Sequence, residues 1–343
     1  MQSVQSAPVL ESKKLETKNI TFELTNACNL RCEFCTIWKE REKQILPFKS
    51  MIKFLTSDMF NHPLNSITLT GGEAFLYPHL DKLFKSLLAL RLKKKIRTIA
   101  ISSNGYSTEK IVNFLNRNKD YTKDLELFIS IDGSHSTHNK LRGREDAYEK
   151  TLKTIELVSG NFPEIKLTVK FTIQQENINE IERVYRFCKE KRINILFKLM
   201  EKSNASYYHR DYRLQTQPLL KDRVEFDKDS KEKIIGILGC IIDEEKNSKA
   251  GVINQKYVNT IIEYLKGDFA INRCFTPRYY IFVTSQGYMY PCLYQKQISI
   301  LNGNWEQEFR NNDYIELVNN AEQGKCPGCL AYHGYLKYWN FKD

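Results

Sequence analysis

Three cysteines stand close together near the start of the chain, at Cys28, Cys32 and Cys35 in the stretch ACNLRCEFC. Thiolates are ligands for zinc and for iron-sulfur clusters, and a structural zinc site usually closes with four protein ligands. A 4Fe-4S cluster held by three thiolates keeps one iron open to a further ligand. The spacing therefore favours an iron-sulfur cluster, with a zinc knuckle as the alternative.

Three other segments combine glycines with polar side chains: TGGEAF at 70–75, SSNG at 102–105 and SIDGSHSTHNKLRG at 130–143. Gly71 and Gly72 would let a ligand approach the backbone, and the Glu73 carboxylate could accept hydrogen bonds from an ammonium group. Each segment alone also fits an ordinary turn between a strand and a helix. Together they predict a polar cavity bordered by the ends of several strands.

Four more cysteines stand in the segment 274–343, at Cys274, Cys292, Cys326 and Cys329. This segment is rich in Tyr, Gly and Pro and shows little apolar periodicity, so we expect a metal centre to hold it together. The runs YYIFVT and YMYPC around the turn SQG predict a hairpin with a ligand at its end. By spacing alone, zinc and a 4Fe-4S cluster are both open.

The elements that must position these residues follow from the chain's patterning. Six runs rich in β-branched residues alternate with longer amphipathic stretches, which is typical of βα units. The predicted strands are 20–24, 66–70, 97–103, 125–131, 166–173 and 194–200, and the predicted helices are 79–92, 107–118, 145–159 and 178–191. They predict a parallel α/β sheet, open or closed into a partial barrel, with its chemistry at the carboxyl ends of the strands.

The length and composition suit a globular protein with one large domain and one smaller one, since the 343 residues are 41% hydrophobic. We divide the chain into an extension (1–19), the βα part (20–200), a helical connector (201–273, with helices near 228–246 and 254–266) and a C-terminal domain (274–343). No apolar run is long enough for a membrane span, and the N-terminus lacks a signal-peptide core. We therefore expect a cytoplasmic protein with no membrane partner.

Cysteine usage and charge narrow the function classes further. Nine cysteines in a reducing compartment indicate metal ligands or catalytic groups rather than disulfides. The formal charge of +11 is densest at 91–97, where a solvated helix end explains it, so we do not expect a nucleic-acid partner.

The first motifs resemble those of the radical S-adenosylmethionine (radical SAM) enzymes. Cys28, Cys32, Phe34 and Cys35 fit that family's Cys-x3-Cys-x-aromatic-Cys loop, and GGE at 71–73 matches a second motif. Ala74 departs from the pattern, since many members carry proline there. The resemblance covers residues 20–200 and implies a partial (β/α)6 barrel.

The resemblance also implies the cofactor chemistry. The open iron would be chelated by S-adenosylmethionine, whose reductive cleavage gives a 5'-deoxyadenosyl radical that abstracts a hydrogen atom from the substrate. Glu73 would hold the methionine ammonium, Ser130 the ribose and Arg142 the carboxylate, while Asn104 and Gly105 would border the ribose or adenine. The implied cofactor-binding residues are Gly71, Gly72, Glu73, Ser102, Asn104, Ser130 and Arg142.

The C-terminal segment resembles the SPASM/twitch extension of many radical SAM enzymes, which opens with Cys, nine to fifteen residues, Gly, four residues and Cys. Here the two intervals are twelve and four residues. Full SPASM domains carry further cysteines after the Cys-x2-Cys pair, and none follows Cys329. The resemblance thus implies the twitch form, with one auxiliary 4Fe-4S cluster ligated by Cys274, Cys292, Cys326 and Cys329, and two clusters per chain.

The leading hypothesis is a radical SAM enzyme of the oxidoreductase type that acts on a small molecule or a peptide, with a flavodoxin or ferredoxin as electron donor. Because about 20 residues precede the first strand, too few for a domain of about 50, we expect no separate leader-peptide domain there. The alternatives are a peptide (RiPP) maturase or radical epimerase, an RNA-modifying radical SAM enzyme, and a non-catalytic metal-binding or redox module.

Two cysteines and four histidines have simpler interpretations. Cys188 and Cys240 lie in predicted helices and fit small buried apolar side chains, although Cys240 is a candidate hydrogen-atom donor. The histidines lack ligand spacing, so we expect ordinary hydrogen bonding or solvation at His135, His138, His209 and His333.

Overall fold

The computed structural model describes residues 16–60, 62–93, 95–200, 226–246, 248, 251–267, 275–291, 298–301, 303, 305–309 and 311–323. Six residues for which the sequence predicts a role or an environment lie outside these ranges. They are Cys274, Cys292, Cys326, Cys329, His209 and His333.

Six parallel strands follow one another along the chain and lie side by side in the same order. They are β1 (Asn19–Glu23), β2 (Leu64–Thr70), β3 (Ile96–Ser103), β4 (Leu125–Ser130), β5 (Lys166–Ile173) and β6 (Asn194–Leu199). The predicted α/β class with a partial parallel barrel is thereby confirmed.

Six α-helices lie between these strands along the chain, and five more follow β6 in the part of the chain that the structure describes. They are α1 (Phe48–Leu55), α2 (Leu80–Leu92), α3 (Thr108–Arg117), α4 (His135–Arg142), α5 (Ala147–Asn161), α6 (Ile181–Lys191), α7 (Lys228–Lys246), α8 (Gln255–Lys266), α9 (Thr276–Tyr279), α10 (Trp305–Glu308) and α11 (Asn312–Glu322). On α6, Ile181, Val184, Tyr185 and Cys188 recur at helical spacing and are all buried, which gives the helix one apolar face. None of the described helices has both the length and the apolar character needed to cross a bilayer.

The two faces of the sheet differ in chemistry, because side chains alternate along each strand. On β5, Val169 and Phe171 are fully buried in the apolar core that includes the helices. Lys170 and Thr172 alternate with them and are half-buried. Lys198 occupies the corresponding face of β6, so the face turned away from the helices is a polar barrel interior.

Three further strands extend the sheet beyond β1. β7 (Tyr280–Val283) pairs parallel to β1, and β8 (Tyr288–Tyr290) and β9 (Ile298–Ser299) follow in antiparallel order. The β7–β8 pair confirms the predicted hairpin. The described part of the C-terminal segment therefore continues the barrel sheet.

Two expectations need correction. The stretch 130–143, predicted without a helix, contains α4, whose buried residues include His138, Asn139 and Leu141. The segment after 274, described above as having little apolar periodicity, contains α11, which buries Tyr314 and Val318. Both helices are short and contain several polar residues, so neither gives a clear apolar periodicity in the sequence.

Candidate functional site

The three cysteines lie on the loop that follows β1, at the carboxyl edge of the parallel sheet. Two backbone hydrogen bonds join this loop to the end of β2: Gly72 N–H donates to Thr25 O at 2.6 Å, and Glu73 N–H donates to Ala27 O at 2.8 Å. The loop thus crosses directly over the GGE segment.

This crossing explains the two glycines. A Cβ on Gly71 would lie 2.6 Å from Thr25 O, and a Cβ on Gly72 would lie 2.3 Å from Ala27 O. Real Cβ atoms do not approach so closely, and the obstructing atoms are backbone. The absence of a side chain at Gly71 and Gly72 therefore makes room for the cysteine loop. A contact of these glycines with S-adenosylmethionine stays a prediction.

The C-terminal end of α4 holds the other side of the loop. Arg31 N–H donates to Arg142 O at 3.1 Å, and Glu33 N–H donates to Leu141 O at 3.0 Å. Gly143 ends the helix with φ 67°, and a Cβ there would lie 2.5 Å from Arg31 O. A helix that the sequence pattern did not predict thus positions the middle of the cysteine loop.

The thiols are close enough to affect one another electrostatically. Burial raises the pKa of Cys28 and of Cys35 to about 11. Repulsion from Cys32 adds to both shifts, and repulsion from Cys35 adds to that of Cys28. Asn104 Nδ2 donates to Cys28 Sγ at 3.7 Å, and Arg142 Nη1 donates to Cys32 Sγ at 3.8 Å. The Asn104 amide and the Arg142 guanidinium can therefore stabilise negative charge on the thiolates.

The donor set consists of three thiols, the ligand type of iron-sulfur clusters. Among the described residues, no group of three His, Cys, Asp or Glu side chains is arranged to hold one metal ion. A cubane presents a separate iron to each thiolate, so its ligands need not converge on one point. Cys28 and Cys35 are half-buried at the edge of an apolar cluster with Leu30 and Tyr106, which would shield the cluster from water.

Glu73 links the ends of β2 and β3. Its Oε1 accepts from Phe75 N–H at 3.0 Å and from Ser103 Oγ at 2.9 Å, and its Oε2 accepts from Asn104 N–H at 2.8 Å. Burial raises the pKa of Glu73, and these donors act in the opposite direction. A carboxylate has about four acceptor positions, so three donors leave one for a ligand ammonium.

Arg142 lies in a buried polar network. Its Nη2 forms an ion pair with Asp132 Oδ2 at 2.5 Å, and Asp132 Oδ1 accepts from Thr172 N–H at 2.8 Å. His138 Nδ1 accepts from Asp132 N–H at 3.1 Å, which confirms ordinary hydrogen bonding for this histidine. Arg142 Nε is buried and has no hydrogen-bond partner among the described residues, so one donor remains for an acidic ligand.

The serines and the asparagine divide between two environments. Ser103, which sequence reasoning missed, contacts Glu73, whereas Ser102 points to the other face of β3 and accepts from Lys170 Nζ at 3.0 Å. Ser130 is half-buried at the end of β4. Asn104 joins the cysteine loop, donating to Asn29 Oδ1 at 2.8 Å. Strand alternation, which puts adjacent serines on opposite faces, was the signal available for Ser103.

Two further cysteines belong to the part of the chain that the structure describes, Cys188 on α6 and Cys240 on α7. Cys188 is fully buried in the helical layer, which confirms its interpretation as a small apolar side chain. Cys240 is exposed on α7, so the same interpretation is wrong for it. Helix α7 packs against α6 and α8, and the role of Cys240 as a hydrogen-atom donor stays a prediction. His135 is largely exposed and pairs with Glu149 at 2.5 Å.

Comparison with known proteins gives one family and several relatives. Residues 22–188 match the model of the Radical SAM superfamily. The sporulation killing factor maturation protein SkfB of Bacillus subtilis is 32% identical over 170 residues, which is 49% of this chain and 38% of that protein. The AdoMet-dependent heme synthase of Methanosarcina barkeri is 25% identical over 345 residues, covering 90% of this chain and 87% of that protein.

A solved structure shares the fold. The anSMEcpe structure with bound AdoMet and a Cp18Cys peptide superposes with a TM-score of 0.62 at 19% identity, over 88% of this chain and 82% of that chain. At this identity the likeness concerns the fold alone. By contrast, the matched part covers well under half of SkfB's own length.

Proposed function

We propose that this chain is a radical SAM enzyme that reductively cleaves S-adenosylmethionine and abstracts a hydrogen atom from a substrate in the barrel, because residues 22–188 match the radical SAM family model. The observation that carries the proposal is the packing of the three-cysteine loop onto the GGE segment beside Arg142. When bound, the 4Fe-4S cluster and S-adenosylmethionine supply a 5'-deoxyadenosyl radical. The chain supplies ligands, orientation and exclusion of water.

The residues have distinct parts in this proposal. Cys28, Cys32 and Cys35 hold the cluster, and the unpaired Arg142 Nε binds the carboxylate of S-adenosylmethionine. Glu73 uses its remaining acceptor position for the ammonium group. Ser102, Asn104 and Ser130 border the ribose and adenine at the ends of β3 and β4. Gly71 and Gly72 let the cysteine loop pack closely on the end of β2 and would lie next to the cofactor.

The test is anaerobic incubation of the reconstituted protein with S-adenosylmethionine and dithionite. We expect 5'-deoxyadenosine in the absence of any substrate, because the cofactor site is complete without one. A protein loaded with iron and sulfide that binds S-adenosylmethionine but yields no 5'-deoxyadenosine would refute the proposal. It would also favour a redox module over an enzyme.

Two substrate classes have support. A peptide is the first candidate, because the SkfB match is the stronger in identity and SkfB is a maturation protein. A small molecule is the second, because the heme synthase match extends over 90% of this chain. Incubation with deuterated candidates, followed by mass spectrometry of 5'-deoxyadenosine, separates the two classes through transfer of the label. We propose an oxidoreductase-type reaction, with epimerisation as the alternative.

Replacing Glu73 by Gln is expected to keep the cluster but weaken S-adenosylmethionine binding by about 10- to 150-fold, the loss of about 1.5–3 kcal/mol from a charge-assisted hydrogen bond. Iron content and equilibrium binding measure the two effects. Glu109→Gln, an exposed change on α3, is the matched control. If Glu73→Gln lowers stability yet leaves cofactor affinity at the control value, Glu73 only joins β2 to β3.

We also propose one auxiliary 4Fe-4S cluster on Cys274, Cys292, Cys326 and Cys329. Cys326→Ala with Cys329→Ala is then expected to lower iron to about four atoms per chain and to make residues 274–343 more susceptible to proteolysis, since metal binding of this kind is coupled to folding. Abortive cofactor cleavage should remain detectable. Cys188→Ala with Cys240→Ala removes two cysteines outside both sites and should retain all iron. Loss of stoichiometric zinc instead of iron would reject the auxiliary cluster.

We propose a cytoplasmic location and an acidic one-electron donor of the flavodoxin or ferredoxin type. Arg31 is exposed on the cysteine loop, where its Nη1 donates to Cys28 O at 2.9 Å, and Arg144 and Lys150 flank Tyr106 next to it. Asp146 pairs with Arg144 and Lys150, so these three cations and one carboxylate together give this approach to the first cluster a positive charge. Bulk tRNA binding that falls steeply with salt would instead support the RNA-modifying alternative.

A further inference from the structure

Asn104 lies between two parts of the candidate site, the Glu73 carboxylate and the cysteine loop. It follows β3 directly and is buried. Its backbone is fixed on both sides, since its N–H donates to Glu73 Oε2 at 2.8 Å and its carbonyl accepts from Thr151 Oγ1 at 3.1 Å. Neither of these bonds uses the side chain. The position of the residue is therefore set independently of its amide group.

The orientation of the Asn104 amide follows from its neighbours. A backbone N–H can only donate, and Tyr106 N–H donates to Asn104 Oδ1 at 2.9 Å, which identifies that atom as the carbonyl oxygen. The NH2 group then faces the cysteine loop. There Nδ2 donates to Asn29 Oδ1 at 2.8 Å and to Cys28 Sγ at 3.7 Å. Both hydrogens of Nδ2 thus have a partner, and one partner is a proposed cluster ligand.

The sulfur of Cys28 has a second donor on its own loop, Leu30 N–H at 3.5 Å. Burial raises the pKa of Cys28, which means that negative charge on this sulfur is unfavourable unless donors stabilise it. The Leu30 donor belongs to the backbone and stays when the side chain is changed. The Asn104 donor belongs to a side chain, so its effect on the sulfur can be measured by substitution.

Hydrogen bonds to sulfur affect the redox properties of iron-sulfur clusters. One-electron reduction adds negative charge to the cluster and its thiolate ligands, so donors to these sulfurs stabilise the reduced form and raise the reduction potential. The electron comes from the flavodoxin- or ferredoxin-type donor proposed above, which is oxidised by one electron in the same step. A higher potential lets that donor reduce a larger fraction of the protein.

We propose that Asn104 raises the reduction potential of the first cluster by donating its amide N–H to the Cys28 thiolate. This inference rests on the proposed function, because it requires a cluster on Cys28, Cys32 and Cys35. Asn104 is then a positioning residue that acts through Cys28. Since both hydrogens of its Nδ2 are engaged, it borders the ribose of S-adenosylmethionine without donating to it.

The experiment is a redox titration of the reconstituted protein, followed by electron paramagnetic resonance. The signal of the first cluster is the one that a variant with alanine at Cys28, Cys32 and Cys35 lacks. Asn104→Ser keeps an oxygen that can accept from Tyr106 N–H in a turn of the same kind, but it lacks the atom that reaches the sulfur. Asn104→Leu keeps most of the side-chain volume and has no donor. Both variants keep the backbone N–H that donates to Glu73.

At the midpoint potential of the wild type, we expect the ratio of reduced to oxidised first cluster to fall about tenfold in both Asn104 variants, which is about 59 mV for a one-electron couple. Iron content and S-adenosylmethionine affinity should stay at the wild-type level. Asn116→Ser and Asn116→Leu make the same changes at an exposed position of α3 and should leave the potential unchanged.

The inference is overturned if both Asn104 variants hold the first cluster at the potential of the Asn116 controls. It is also overturned if they lose S-adenosylmethionine affinity and keep the potential, because Asn104 would then be a cofactor contact. Loss of the first cluster's iron in both variants overturns it as well, because Asn104 would then hold the loop in place. If the wild type itself lacks a cluster signal that depends on the three cysteines, the proposed function is wrong.

Discussion

Replacing Cys28, Cys32 and Cys35 together by alanine is expected to abolish cleavage of S-adenosylmethionine and to lower iron from about eight to about four atoms per chain, as one 4Fe-4S unit per site requires. The three thiols stand on one loop at the carboxyl edge of the sheet and interact electrostatically. Their removal takes away every predicted protein ligand of the first cluster. The measurements are iron and sulfide content and 5'-deoxyadenosine formation under dithionite.

The control separates loss of ligands from loss of folding. Cys188 is buried in the core and Cys240 is exposed on α7, so alanine at Cys240 alone changes a cysteine with little cost to packing. That variant should keep both its iron and its activity. Iron that stays near eight per chain in the triple variant would rule out the cluster assignment, and a wild type that never exceeds four would rule out the second cluster.

Much of the sheet could be predicted because its strands are strongly patterned. In KLTVKFTI the apolar residues alternate with polar ones, and the structure gives β5 the predicted bounds, Lys166–Ile173. Buried parallel strands separated by amphipathic helices leave few alternative topologies. The same alternation puts Ser102 and Ser103 on opposite faces of β3, so it could have indicated that only one of them contacts Glu73.

The parts that could not be predicted depend on contacts between distant segments. The pairing of β7 with β1 joins residues 19–22 to 280–283, and neither strand carries a signal for its partner. The turn after β7 also reaches the site, since Ser285 N–H donates to Glu23 Oε1 at 3.2 Å. Likewise, α4 is built from polar residues, and its role in holding the cysteine loop depends on backbone hydrogen bonds that any side chains could accompany.

The glycines show the limit of motif reasoning most clearly. Their match to the GGE motif favoured a ligand that approaches the backbone, and the nearest atoms in the structure belong to the chain itself. A motif indicates that space is needed but not what occupies it. In the structure, the backbone of residues 25–27 occupies this space. A larger residue at Gly72 should therefore affect both stability and metal binding, which the sequence alone did not indicate.

Gly72→Ala is expected to destabilise the protein by about 3 kcal/mol or more and to lower the iron bound at the first cluster, since overpacking against rigid atoms typically costs 1–3 kcal/mol and occasionally more. The new Cβ would lie 2.3 Å from Ala27 O and 2.8 Å from Asn26 O, and backbone atoms cannot rotate away as a side chain can. To relieve the clash, the loop must lift from the end of β2, which breaks the hydrogen bonds from Gly72 and Glu73 that hold Thr25 and Ala27, and so displaces Cys28.

Gly236→Ala on α7 is the matched control, because nothing lies within 4 Å of its Cβ position. Alanine in a helix interior should stabilise that variant by about 0.5–1 kcal/mol. Guanidinium unfolding of the metal-free proteins measures the first effect, and iron content after reconstitution measures the second. If Gly72→Ala unfolds at the same midpoint as Gly236→Ala and keeps its iron, the cysteine loop does not pack on Gly72 as described, and the proposed position of the first cluster over the GGE segment must be revised.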